Sequence, residues 1–143
     1  MKDSIQKIPC ACLLVRRAGR QLSQMYDQYL RPAGIRSTQY SMLMCVAELP
    51  DPFISDIGRF LGMDQSTATR NIKILEKAGL VETKSHPEDP RKIQVELSSS
   101  GKAKLIECHS LWEKAQRHIL SSMGEDNLAN LFELLGKLTR AAG

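Results

Sequence analysis

The sequence predicts a mainly α chain, an α+β arrangement with one short β-hairpin set among helices. Three observations carry that expectation. Apolar residues recur at three- and four-residue steps through most of the 143 positions. Two stretches near residues 81–85 and 92–97 alternate in the strand manner instead. Proline and glycine fall between these stretches rather than inside them.

The elements follow in order. Val15, Ala18, Leu22, Met25/Tyr26 and Tyr29 form one stripe of an amphipathic helix, which Arg31-Pro32-Ala33-Gly34 ends. Ser37 or Thr38 can cap a second helix that runs through Leu49, where Pro50-Asp51-Pro52 stops it. Ser55 is placed to cap a short helix from Asp56 to Leu61. After Gly62-Met63-Asp64 comes a helix over Gln65–Ala78, with Asp64 as its N-cap and Gly79 as its left-handed stop. Val81–Ser85 and Lys92–Leu97 pair as a hairpin around the turn-rich His86-Pro87-Glu88-Asp89-Pro90. A long helix starts near Ser99 with the stripe Leu105, Cys108, Trp112, Ala115 and Ile119. A last helix after Met123-Gly124 carries Leu128, Leu131/Phe132, Leu135 and Leu138.

Composition excludes several classes. The 42% apolar and 25% charged fractions suit a globular domain able to bury a core without metal or disulfide. No apolar run exceeds six residues, the length of Cys10–Val15, against the roughly 18 of a membrane helix. That stretch leads into Arg16-Arg17 with no small-residue cleavage pattern, so the expectation is a cytoplasmic protein with no membrane association. There the four cysteines stay reduced. No pair of cysteines has zinc-knuckle spacing, so no metal and no cofactor is expected. His86, His109 and His118 lie in no nucleophile motif, and neither a phosphate-binding glycine loop nor a paired-carboxylate site is present, which argues against an enzyme.

The net charge of +4 points only weakly to a polyanion. Geometry says more. Two short helices joined by a glycine-containing turn form a helix-turn-helix. At about 100° per residue, Ala68, Ile72 and Leu75 fall on one side of the 65–78 helix. Ser66, Arg70, Lys73 and Lys77 fall on the other, with Thr69 on the flank. Hydroxyls near a helix start and cations further along suit base edges and phosphates of a major groove. The hairpin adds Lys84, His86, Arg91 and Lys92 clustered at its tip, and a cationic hairpin beside such a helix can reach a minor groove. Asp89 either forms a simple surface pair with Arg91 or orients it for insertion, and the two roles are compatible. A protein-interaction module built on the same helices is the alternative reading.

Leu61-Gly62-Met63-Asp64-Gln65-Ser66-Thr67-Ala68-Thr69-Arg70, then Leu75-Glu76-Lys77-Ala78-Gly79-Leu80-Val81, resembles the recognition-helix signature of the MarR family of bacterial transcription regulators. Asp89-Pro90-Arg91-Lys92, continuing through Val95-Glu96-Leu97-Ser98 to Gly101, resembles that family's wing and the start of its fifth helix, with Ser98 where threonine is usual. The resemblance extends from about Cys10 to Ala142 in element order. It implies a winged helix-turn-helix lobe over 37–98, with recognition helix 65–78 and wing 81–97, between dimerisation helices 1–36 and 99–143. It also implies a sequence-specific repressor that binds double-stranded DNA at a pseudo-palindrome and is released by a small phenolic compound or an oxidant. Gln65, Ser66, Thr67, Thr69, Arg70 and Lys73 would face the major groove, and Arg91 held by Asp89 would enter the minor groove.

A homodimer is expected independently of the resemblance. A winged helix is compact within about 70–80 residues, so the apolar stripes of the first and last helices need burial elsewhere. A twofold copy supplies it.

Two sensing sites are candidates. Cys10 and Cys12 lie near a helix start, close to Lys7 and Arg16, where thiols become oxidisable; simple packing is the competing role. Tyr26, Tyr40, Met44 and Trp112 can line a small-molecule pocket or merely fill the core.

Overall fold

The computed structural model describes residues 9–143. Its elements are α1 (Ala11–Leu30), a 3-10 turn (Arg31–Ala33), α2 (Ser37–Glu48), α3 (Ile54–Leu61) and α4 (Gln65–Lys77), followed by β1 (Val81–Ser85), β2 (Ile93–Leu97), α5 (Ser99–Met123) and α6 (Glu125–Ala142). The recognition helix thus ends one residue before Ala78, its C-cap, and the second strand starts at Ile93 rather than Lys92.

Two helix starts differ from the sequence expectation. Neither Ser37 nor Thr38 caps α2, whose N-cap is Arg36. Gln39 Oε1 accepts the Arg36 N–H at 3.0 Å, and Asp27 Oδ1, reaching from α1, accepts the Ser37 N–H at 2.6 Å. Ser55 likewise lies inside α3, where Asp56 Oδ2 reaches back to the Phe53 N–H at 2.9 Å. In both helices an acceptor further along the chain, or on another element, serves the free amide instead of the first hydroxyl.

The remaining caps agree with expectation. Asp64 Oδ1 accepts the Thr67 N–H at 2.7 Å, and Ser98 Oγ accepts the Gly101 N–H at 3.0 Å. Gly79, at φ +76°, ends α4 in a Schellman motif: its N–H reaches Glu76 O at 2.9 Å and the Leu80 N–H reaches Leu75 O at 3.0 Å.

β1 and β2 pair antiparallel, Val81 opposite Leu97 and Ser85 opposite Ile93. Phe53 forms a single antiparallel bridge with Gln94, and the Val95 N–H bonds Pro52 O at 2.9 Å. This one-residue third strand ties the loop before α3 to the hairpin.

The core lies among α2, α3, α4, the hairpin and the facing side of α5. Met42, Leu43, Ile57, Ala68, Ile72, Leu75, Val95 and Cys108 are all fully enclosed there. Complete burial of each large aliphatic chain contributes about 1.5–3 kcal/mol. Gly101 marks the closest joint between lobe and helices. A Cβ there would overlap the Leu80 carbonyl oxygen and lie 2.9 Å from its carbon.

The outer helices contrast with that core. Leu13, Leu14, Val15 and Leu22 of α1 and Phe132, Leu134, Leu135 and Leu138 of α6 are exposed. Among the described residues, no helix is long and apolar enough to cross a membrane.

Candidate nucleic-acid interface

The interface is built on α4. Ala68 sits at 0% exposure where α3 approaches, and a Cβ on Gly58 of α3 would lie 3.2 Å from the Ala68 Cβ. Two small residues at the crossing therefore set how closely the helices pack. With Ala68, Ile72 and Leu75 turned inward, Ser66, Arg70, Lys73 and Lys77 emerge on the open side, as the helical spacing predicts. Gln65 is exposed, and Thr67 and Thr69 are half-buried at the edges.

Hydrogen bonds order the first turn. Ser66 Oγ donates to Asp64 Oδ1 at 2.9 Å, and Arg70 Nη2 donates to Thr67 Oγ1 at 3.5 Å. The Thr67 backbone N–H, followed by the Thr67 and Ser66 hydroxyls, holds the Asp64 carboxyl below its ordinary range. A shallow apolar-floored groove runs beside the helix, lined by Ser66, Thr69, Arg70, Lys73, Ile74 and Lys77. Ile74, 49% exposed, is a member of this face that the sequence pattern did not single out. Its angular position, about 40° round the helix from Arg70, was readable, but an isoleucine there suggested core.

The hairpin stands beside α4. Thr83 of β1 donates its hydroxyl to Glu76 of α4, a cross-link the sequence did not reveal. At the tip, Asp89 Oδ1 accepts both the Arg91 N–H at 3.0 Å and Arg91 Nε at 3.3 Å, while the Arg91 side chain is 91% exposed. Lys84 lies in β1 opposite Gln94. His86 and Lys92 close the loop, the His86 N–H reaching Lys92 O at 2.8 Å. Both pack around Phe53, with Lys92 Nζ 5.8 Å from that ring's centre and the His86 ring 6.1 Å away. Phe53 thus supports the wing from below. Only its position after Pro52 signalled this, too short a stretch for periodicity to detect.

The candidate sensing residues divide. Tyr26, Tyr40 and Trp112 line a cleft of about 390 Å³ between α1, α2 and α5, together with Leu22, Leu30 and Met63. Met44 is not among its lining residues and packs partly buried against the core. The Tyr26 hydroxyl bonds the Gln116 side chain, and Tyr40 lies 3.4 Å from His109 Nδ1. Burial, reinforced by Cys108 and Glu113, pushes the Tyr40 hydroxyl up to about 12. Cys10 and Cys12 are both exposed at the start of α1, so within one chain neither is a packing residue. Lys7, expected near them, lies outside the described residues.

A helix-turn-helix followed by a cationic hairpin defines a winged helix-turn-helix transcription regulator. The MarR family model matches residues 35–93. The crystal structure of the M. tuberculosis transcriptional regulator MosR in complex with DNA is similar with a TM-score of 0.82 and 32% identity, covering 94% of this chain and 98% of that one. A mutant MarR from E. coli complexed with operator DNA gives a TM-score of 0.79 at 25% identity, over 87% of this chain and 90% of that one. The HTH-type transcriptional regulator SarZ of Staphylococcus haemolyticus is 29% identical across 63% of this chain, a match that spans 61% of SarZ's length. The chain belongs to the MarR family, a family of transcription regulators rather than enzymes.

Proposed function

We propose that this chain is a cytoplasmic, homodimeric, sequence-specific DNA-binding transcription regulator, a repressor acting at a pseudo-palindromic operator. The observation that carries the proposal is the open face of α4, with hydroxyls in its first turn and Arg70, Lys73 and Lys77 beyond them. Gln65, Ser66, Thr67, Thr69, Arg70 and Lys73 are assigned to the major groove. Lys84, His86 and Lys92 are assigned to the adjoining backbone, and Arg91, steadied by Asp89, to the minor groove. The winged lobe spans 37–98, and the flanking segments 1–36 and 99–143 dimerise. The exposed leucines of α1 and α6 support that division.

Footprinting the purified protein on genomic DNA supplies the operator. Arg70→Ala and Arg91→Ala should then each weaken operator binding by roughly 1–3 kcal/mol. Unchanged affinity in both variants would remove the assigned readout. Absence of any salt-dependent duplex binding would favour the protein-interaction module instead.

Release by an effector completes the proposal. The cleft lined by Tyr26, Tyr40 and Trp112 suits a small phenolic compound, with tyrosine and indole groups around an apolar floor. The exposed pair Cys10 and Cys12 suits an oxidant. Repeating the footprint with a phenolic acid, with peroxide, and with peroxide followed by reductant distinguishes these routes.

A further inference from the structure

We infer that Asp64 and Ser66 give the first turn of α4 an acceptor-only corner, so that this corner selects a base with an exocyclic amine in the major groove, adenine or cytosine. The inference rests on the DNA-reading proposal above and deepens it by naming the base class one residue accepts.

An ionised carboxylate can only accept hydrogen bonds, and a serine hydroxyl has one proton to give. The Ser66 proton is committed to Asp64 Oδ1 at 2.9 Å, and the same oxygen takes the Thr67 N–H at 2.7 Å. What exposed Ser66 turns outward is therefore lone pairs. The Thr67 hydroxyl also bonds the Asp64 carboxylate, and its oxygen receives Arg70 Nη2 at 3.5 Å. Further along the face the chemistry reverses, because Arg70, Lys73 and Lys77 are donors only. Apart from Gln65 and Thr69, which can both donate and accept, the reading surface runs from acceptors at its start to donors at its end.

Bases divide along the same line. In the major groove adenine offers its N6 amine and cytosine its N4 amine, whereas guanine offers O6 and N7, and thymine offers O4 and a methyl group. A corner that cannot donate accepts the first pair and leaves the second with facing lone pairs.

The test selects duplexes from a randomised half-site library with the full-length wild type, Ser66→Ala and Asp64→Asn, each first checked for cooperative melting. The position at which Ser66→Ala alone loses selectivity identifies the Ser66 contact. Wild type should prefer adenine or cytosine there by about tenfold, the scale of one good base contact, falling below about twofold in Ser66→Ala. Asp64→Asn keeps an oxygen for the Thr67 amide and the Ser66 hydroxyl but introduces an NH₂ donor. It should shift that position toward guanine or thymine while leaving others unchanged. Wild-type selection of guanine or thymine at the Ser66 position overturns the inference. So does a selected site in which Ser66→Ala alters no position, although the DNA-reading proposal then survives. Failure of the wild type to enrich any duplex overturns both.

Discussion

The lobe over residues 37–98 and the helices flanking it treat their apolar side chains in opposite ways. In the lobe, Met42, Leu43, Ile57, Ile72, Leu75 and Val95 are closed off from solvent by neighbours in the same chain. On α6, Leu134 remains 61% exposed and Phe132 57% exposed, and Leu13 at the start of α1 is 61% exposed. Both regions have amphipathic helices, so helix formation is not what separates them. The difference teaches that the core of the lobe, completed by Leu30 of α1 and Cys108 of α5, is closed within one chain, whereas the outer helices keep apolar surface that the described residues leave uncovered. A second copy would cover it and would also fix the spacing of two reading heads.

The largest expected effect lies at the joint of the two regions. Gly101→Ala must push α5 away from the Leu80 carbonyl, displacing the Ser98–Gly79 bond of 2.5 Å beside it. It should lower stability by about 3 kcal/mol or prevent folding, read by thermal or urea melting. Wild-type stability in this variant would mean that lobe and helices are not tightly joined.

Next in size is the outer surface itself. Phe132→Glu combined with Leu135→Glu changes residues that a single chain leaves exposed, so the lobe should still fold. The sedimenting mass should drop from twice the 16.0 kDa chain mass to once, and operator affinity should fall about 100-fold through lost bivalency. A variant that remains dimeric would place the twofold contact elsewhere.

A smaller effect comes from Tyr40, where lobe and helices meet. Its hydroxyl is raised to about 12 by burial, then by Cys108 and Glu113, against an ordinary value of 10.0. The unfolded chain releases this proton first, so between pH 10 and about 12 the native state binds more protons. Stability should be complete below pH 10 and decline as pH rises through that window. Tyr40→Phe should flatten this part of the profile.

The mildest probe is thiol labelling. Cys10 and Cys12 are exposed, whereas burial raises the thiols of Cys45 and Cys108. Native protein at neutral pH should alkylate at Cys10 and Cys12 quickly and at the other two only after denaturation, as mass spectrometry would show.

Much of this was legible in the sequence because helix periodicity and punctuation are local signals. The inward trio Ala68, Ile72 and Leu75 and the Asp64 cap follow from spacing within one helix. What escaped depends on partners far along the chain. Asp27 serves the amide of Ser37, Phe53 supports the wing through a single bridge, and Glu76 meets Thr83 across a turn. Met44 belongs to the core rather than the cleft because helical phase alone does not say which neighbour a side chain meets. The caps proposed at Ser37 and Ser55 failed for a related reason: Asp27, Gln39 and Asp56 offered better-placed acceptors.

A hydroxyl-radical footprint of the wild-type protein on its selected operator tests the paired reading heads most directly. Two protected patches on one face of the duplex should appear, centred about 10 base pairs or ~34 Å apart. A single patch, or protection without that separation, would contradict a symmetric pair of α4 helices entering successive major grooves.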